Sequence, residues 1–366
     1  MNKQRVITYG LVLVVLAVLL DLQFRAWRTF DWSRFFSQTR DIAWLHVIYG
    51  TALIYLTYVL RAVRWKIFLR PVRRDISSVL LLSPTIIGFT GLALLGRPGE
   101  LIRPYLIARR LNLNLSSQMA VWTIERIFDL AGFTVLLISA TFLPTELRDF
   151  AGTSLAVDHW LHLATYLLMA LVAGLLSAAV LINYRGAVFA AWIERRFSHL
   201  AAGPGKRMAQ RIREFATGLS SIHGPLAFLQ QSILSVLMWW LIALAYKEVT
   251  HAYGAPMQSI SATKVLLLLG FSMVGSMLQL PGVGGGSQLA TIEALNKIFL
   301  VPRELAVSCG ILLWLVSFVS VIPVGLLLAH WERLSLRRIS DEAEEQEEAT
   351  KLSSVPPDSS KCSLFT

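Results

Sequence analysis

Charge is what this chain has least of. Only 16% of its 366 residues are Asp, Glu, Lys or Arg, where a soluble domain usually carries about 25%. Apolar residues make up 55%, and the mean hydropathy is +0.58. That balance argues against a soluble enzyme held by a single anchor. Cysteine is nearly absent. Cys309 lies in an apolar run and Cys362 in a polar tail, which excludes a disulfide framework and a thiolate metal site. The ending Lys361-Cys362-Ser363-Leu364-Phe365-Thr366 is one residue too long for a prenylation box. The histidines, among them His46, His159, His162, His223 and His251, show no metal-ligand spacing. There is no Walker motif, nucleophile elbow or zinc-protease motif, so ATP hydrolysis is not expected. No catalytic residue, metal or cofactor is assigned.

What charge remains is basic: the formal net charge is +11 and the pI is near 9.9. The basic residues flank long apolar runs. That placement suits the anionic face of a bilayer, and no nucleic-acid partner is expected. Lys3 and Arg5 precede an apolar run, as in a signal peptide, but no small-x-small cleavage site follows before Asp21. The run reads as an uncleaved first span.

A membrane helix needs roughly 20 apolar residues. Six runs qualify, at about 6–23, 42–60, 118–142, 160–183, 226–249 and 305–330. Two more, about 77–95 and 264–280, are broken by Gly96-Arg97-Pro98-Gly99-Glu100 and by Pro281-Gly282-Val283-Gly284-Gly285-Gly286. Segments 24–41 and 185–222 alternate aromatic and basic residues and read as interfacial amphipathic connectors. Residues 339–366 are acidic, then rich in Ser and Pro, and are expected to form a disordered cytoplasmic tail.

Positive charge sets the expected topology. The loop 61–75, with Arg61, Arg64, Lys66, Arg70, Arg73 and Arg74, belongs inside, as does the basic loop 184–225. The loop 144–159 carries only Arg148 and belongs outside. The piece 77–116 then has to enter and leave on the cytoplasmic side, and 264–303 on the outer side. The expected fold is all-α and polytopic: six transmembrane helices, two re-entrant helical hairpins and both termini cytoplasmic. Residues 1–338 form one transmembrane domain. Its halves, about 5–143 and 160–330, are inverted repeats, a transporter architecture.

Candidate site residues cluster at the breaks and in one span. Arg97, Glu100 and Arg103 surround the first break. Glu125, Arg126 and Asp129 lie within the run 118–142, with Glu125 and Asp129 four apart on one helix face. Ionisable groups at such depth must pair or line a wet cavity. Beyond the second break, Gly284, Gly285 and Gly286 precede a helix with Ser287 in N-cap position and Gln288 next to it. Free N–H groups there suit an anion such as a lipid phosphate. Lys247 and Glu248 read as interface residues.

Gly96-Arg97-Pro98-Gly99-Glu100-Leu101-Ile102-Arg103, Glu125-Arg126-Ile127-Phe128-Asp129, Leu280-Pro281-Gly282-Val283-Gly284-Gly285 and Leu60-Arg61-Ala62-Val63-Arg64-Trp65 together resemble the transmembrane flippase domain of lysylphosphatidylglycerol synthases and their stand-alone relatives. The resemblance covers about residues 5–335. It implies a prokaryotic cytoplasmic membrane and movement of lipid between leaflets. A chain ending at Thr366 leaves no room for the aminoacyl-transferase domain of the full synthases, so a stand-alone member is expected. The family often has Glu shortly after the second Pro-Gly turn, where this sequence has Gln288, so the substrates of other members do not transfer directly.

The resulting expectation is a lipid flippase or transporter of a lipid-linked intermediate. Its partners are the bilayer and a membrane lipid with an anionic headgroup. Arg97, Arg103 and Arg126 would meet phosphate, while Glu100, Glu125 and Asp129 would balance them or relay protons. The alternatives are a membrane-embedded lipid-modifying transferase using Glu100, Glu125 or Asp129, and an accessory subunit of such an enzyme. Self-association or pairing with a lipid-synthesis enzyme is compatible with each.

Overall fold

The computed structural model describes residues 31–73, 75–142, 163, 166–175, 177, 225–258, 260–276, 279–280 and 284–332. The expected first span, most of the fourth, the connector 185–222, the Pro281 turn and the acidic tail lie outside these residues. So does the side chain of Arg97.

The described chain is helical, with one two-residue strand pair. Helix α1 is Trp32–Arg40, and Asp31 caps it by accepting a hydrogen bond from the Arg34 N–H at 3.0 Å. Its exposed Trp32 and Phe36 suit an interfacial helix. Thr39 fastens it to the last helix through a hydroxyl contact with Ser308 at 2.9 Å. Then follow α2 (Trp44–Leu69), α3 (Ser78–Leu95), α4 (Ile102–Leu111), α5 (Leu115–Phe142), α6 (Tyr166–Leu175), α7 (Pro225–His251), α8 (Ala262–Gly275), α9 (Gly286–Glu293) and α10 (Arg303–Trp331). Four of these, α2, α3, α7 and α10, are long and apolar enough to cross a membrane. Helix α5 has the length but carries Glu125, Arg126 and Asp129 in mid-course.

Helix α2 corrects the sequence reading. Arg61 and Arg64 were expected in a cytoplasmic loop, but the helix continues through them to Leu69. Trp65, Ile67, Phe68 and Leu69 keep its apolar face going, and all four are buried. A helix in such surroundings keeps its backbone bonds and finds partners for its arginines rather than unwinding.

The first break is a fold-back. Gly96 ends α3 with φ +70°, a conformation glycine adopts without a Cβ clash, and its N–H returns to the Leu92 carbonyl at 2.9 Å. A single 3₁₀ turn, Arg97–Leu101, leads into α4. The two arms touch backbone to backbone. A Cβ on Gly99 would strike the Gly91 carbonyl, and one on Gly88 would strike Arg103. The outer face of α3 packs on α10, where Thr90 donates to the Val321 carbonyl at 3.2 Å and lies against Gly325.

The second break also folds back, and there the structure departs from the sequence reading. Gln279 and Leu280 pair antiparallel with Gly285 and Gly284. This bridge keeps the chain extended up to Gly285, so Gly285 is the N-cap and α9 begins at Gly286. Ser287 is therefore inside the first turn and buried; it is not the capping hydroxyl. The arms of this hairpin also meet at glycine, since a Cβ on Gly275 would overlap the Gly286 carbonyl.

One large apolar core joins α2, α3, α5, α7, α8, the π-helical turn Ala294–Ile298 and α10. A second, smaller one holds Trp65, Phe68, Ile107, Ile124 and Phe128 between α2, α4 and α5. Because the Gly91–Gly99 contact leaves no room for a methyl group, Gly99→Ala is expected to destabilise the protein by about 1–3 kcal/mol through overpacking. Denaturant unfolding in detergent measures this. A wild-type midpoint would show that the turn is slack.

Candidate functional site

The site begins with spacing. Arg61 and Arg64 are three apart on α2, and Glu125 and Asp129 are four apart on α5, so each pair projects from one helix face. The two faces meet. Arg61 Nη1 reaches Asp129 Oδ2 at 3.2 Å and Glu125 Oε1 at 4.0 Å. Arg64 spans both acids: Nη1 bonds Asp129 Oδ1, and Nη2 lies 3.7 Å from Glu125 Oε1 and 3.1 Å from the Glu125 carbonyl. Arg64 and Glu125 are each 0% exposed.

The first hairpin supplies the third arginine. Arg103, on α4, grips Glu125 with two nitrogens, one of them 3.3 Å from Oε1. Two-point contacts of this kind fix orientation as well as charge. Its guanidinium stacks on Trp65 at 4.4 Å and stands 5.6 Å from the Phe89 ring. Trp65 is held in turn by its indole N–H, which donates to Gln118 at 3.1 Å. Arg61 stacks on Phe89 at 4.8 Å. Gly88 lets α4 approach closely enough for this, since its missing side chain faces the Arg103 backbone.

Arg126 lies at the margin, 35% exposed at its side chain and 3.7 Å from Asp129. It lines a cleft of about 10 Å³ with Glu100, Arg103 and Trp122, close enough to Glu100 for electrostatic attraction. Of the six charged residues singled out in the sequence, the structure thus joins Arg103, Glu125, Arg126 and Asp129 by ion pairs and places Glu100 beside them. Sequence reasoning missed Arg61 and Arg64. The available signal was their three-residue spacing beside Trp65, with apolar residues continuing beyond.

A larger cavity, about 160 Å³, opens on the other side of Arg61. Its walls come from α2 (Thr57, Tyr58, Arg61), the first hairpin (Phe89, Leu92), α7 (Trp239, Tyr246), the second hairpin (Ser272, Ser276) and α10 (Ser317, Phe318). On α10 the wall includes a π-helical turn, Leu315–Val319. Such turns re-aim side chains and are frequent at functional sites. The second hairpin contributes through α8, the arm before its break. Gly284, Gly285, Gly286, Ser287 and Gln288 are not among the lining residues; Ser287 turns inward, and its carbonyl accepts the Thr291 hydroxyl at 2.7 Å. Among the described residues no group of His, Cys, Asp and Glu could hold a metal ion.

A polytopic helical membrane protein, with paired charges buried against one fold-back hairpin and a cavity lined by two, is the class these features define. The family model for the lysylphosphatidylglycerol synthase TM region matches residues 7–325, and the chain belongs to that family. No curated protein and no solved structure matches.

Removing one member of a buried ion cluster leaves the others uncompensated, at a cost of about 3–5 kcal/mol. Glu125→Gln, which strips Arg103 and Arg64 of a partner, is expected to destabilise by that amount in denaturant unfolding. Arg103→Met combined with Glu125→Leu is expected to recover part of it. A loss below about 1 kcal/mol from Glu125→Gln would mean that the cluster is solvated rather than buried.

Proposed function

We propose that this protein moves a phospholipid or a lipid-linked intermediate between the leaflets of the cytoplasmic membrane. The observation that carries the reading is the cavity wall, to which both fold-back hairpins contribute. In a bilayer, broken helices survive only where protein or water covers their backbone. In transporters built from inverted repeats, such breaks flank the substrate site. Membership of the family supports a lipid-related function in the membrane. The arrangement of charges favours transport over group transfer. Of the three acids a transferase could use, Glu125 and Asp129 are held by arginines, which leaves neither as a free base, and Glu100 lines a cleft of only about 10 Å³.

In this reading residues 1–338 cross the membrane six times, with both termini cytoplasmic. The two hairpins are re-entrant from opposite sides, and the halves are inverted repeats. The headgroup enters the cavity beside Arg61, while the acyl chains stay in the bilayer. Arg103 and Arg126 tie the first hairpin to the fixed cluster, so a movement of that hairpin is felt at the cavity wall.

The full chain reconstituted in vesicles is expected to exchange a fluorescent phospholipid between leaflets without chemical change. Ile242→Trp, which fills the cavity from α7, is expected to slow exchange roughly tenfold, equivalent to about 1.4 kcal/mol. Exchange no faster than in protein-free vesicles, or chemical turnover of the lipid, would overturn the proposal. For the first hairpin, single cysteines at Ser77 and Ser116 are expected to react with an impermeant reagent from the same side. Labelling from opposite sides would make α3 an ordinary span.

A further inference from the structure

The walls of the larger cavity are chemically one-sided. Among the described residues lining it there is one cation, Arg61, and no carboxylate. The rest is aromatic, hydroxylic or aliphatic. The hydroxyl groups of Tyr246 and Ser272, 3.0 Å apart, give and take hydrogen bonds on the same wall. The cavity therefore offers hydroxyls to hydroxyls and one positive charge to an anion.

An amine finds no counter-ion among the described wall residues. Asp129 and Glu125 are already paired with Arg61, Arg64 and Arg103. An ammonium group could use an aromatic face instead. However, Phe89 is covered by the guanidiniums of Arg61 and Arg103, and the faces of Tyr58, Trp239, Tyr246 and Phe318 carry no formal charge to neutralise an ammonium. The whole cluster, with Arg61, Arg64, Arg103 and Arg126 facing Glu100, Glu125 and Asp129, holds one more cation than anion. An unpaired ammonium entering beside it would be desolvated without a counter-ion and repelled. Size agrees with a small headgroup, since a cavity of roughly 150 Å³ accepts a benzene-sized guest.

From this we infer that the cavity selects an anionic, hydroxylated, amine-free headgroup: a phosphate ester of glycerol or of a single sugar-sized polyol, and not an aminoacylated lipid. The inference rests on the transport reading for how the lipid arrives, but the preference itself is a property of binding.

The test is competition binding to the full chain in detergent, read by native mass spectrometry. Phosphatidylglycerol competes against lysyl-phosphatidylglycerol and phosphatidylethanolamine, with glycerol phosphate as a lipid-free arm. Phosphatidylglycerol is expected to win over both amine-bearing lipids by roughly tenfold or more. Equal or tighter binding of either amine-bearing lipid to the wild-type chain would overturn the inference. If glycerol phosphate alone displaces the lipid completely, the cavity recognises a soluble polyol phosphate and the lipid assignment falls. Vesicle exchange measured in parallel separates the two claims, because a chain that ranks lipids as stated yet moves none contradicts the transport reading alone.

Discussion

Everything inside this molecule is arranged around one constraint: four arginines and the acids that answer them have to be kept out of lipid. Glu125 and Arg64 have no exposed surface, and Arg103 and Asp129 have almost none. Each buried ion carries a desolvation penalty of several kcal/mol, offset only by good geometry and full partnering. The structure meets that demand by drawing three helices to one point. Helix α2 brings Arg61 and Arg64, α5 brings Glu125 and Asp129, and the returning arm of the first hairpin brings Arg103. Trp65 and Phe89 cover the guanidinium faces, and Gln231 holds α7 in register by donating to the Arg64 carbonyl at 3.0 Å. Replacing the cluster by apolar side chains would be cheaper in packing terms. Its presence is thus more informative about function than about stability.

The cluster links two regions that the chain keeps far apart in sequence. On one side lies the first fold-back, whose arms meet at Gly91 and Gly99; on the other lies the cavity that also touches α8 and the π-helical turn of α10. Arg61 belongs to both, as a cluster member and as a wall residue. Helix α10 contacts the first hairpin at a second place, where Glu332 accepts hydrogen bonds from Ser83 on α3 and from Arg110 on α4. A rearrangement of the first hairpin would therefore be transmitted to the cavity wall through Arg61 and through α10 together. Under the transport proposal, this coupling would serve alternating access.

Much of this was legible in the sequence. The apolar runs 42–60, 118–142, 226–249 and 305–330 gave helices, the two Pro-Gly breaks gave the fold-backs, and the charges of α5 declared themselves by their place within an apolar run. What escaped did so for physical reasons. Arg61 and Arg64 sit where an apolar run first meets basic residues, and the charge rule for loops claims such residues by default. Their contacts with α5 account for a helix that carries them instead of a loop. Ser287 looked like a capping hydroxyl because local sequence does not reveal the Gln279–Gly285 pairing that moves the helix start to Gly286. The cavity hydroxyls gave no signal at all. Thr57 and Ser276 each donate back to their own helix, at 2.6 Å and 2.7 Å, as such residues do in any apolar helix. Which of them faces a cavity depends on helix packing, to which a single sequence is blind.

The central claim is that lipid occupies the cavity between the hairpins. Its most direct test is a photoreactive phenylalanine analogue at Phe318, on the cavity wall, compared with the same analogue at Leu237, which is 40% exposed on α7 and does not line the cavity. In vesicles containing phosphatidylglycerol with a radiolabelled headgroup, the account predicts an adduct at Phe318 that an excess of unlabelled phosphatidylglycerol suppresses, while the Leu237 adduct reflects only bulk lipid and falls in proportion to dilution. Equal adducts at both positions with equal dilution, or none at Phe318, would contradict it.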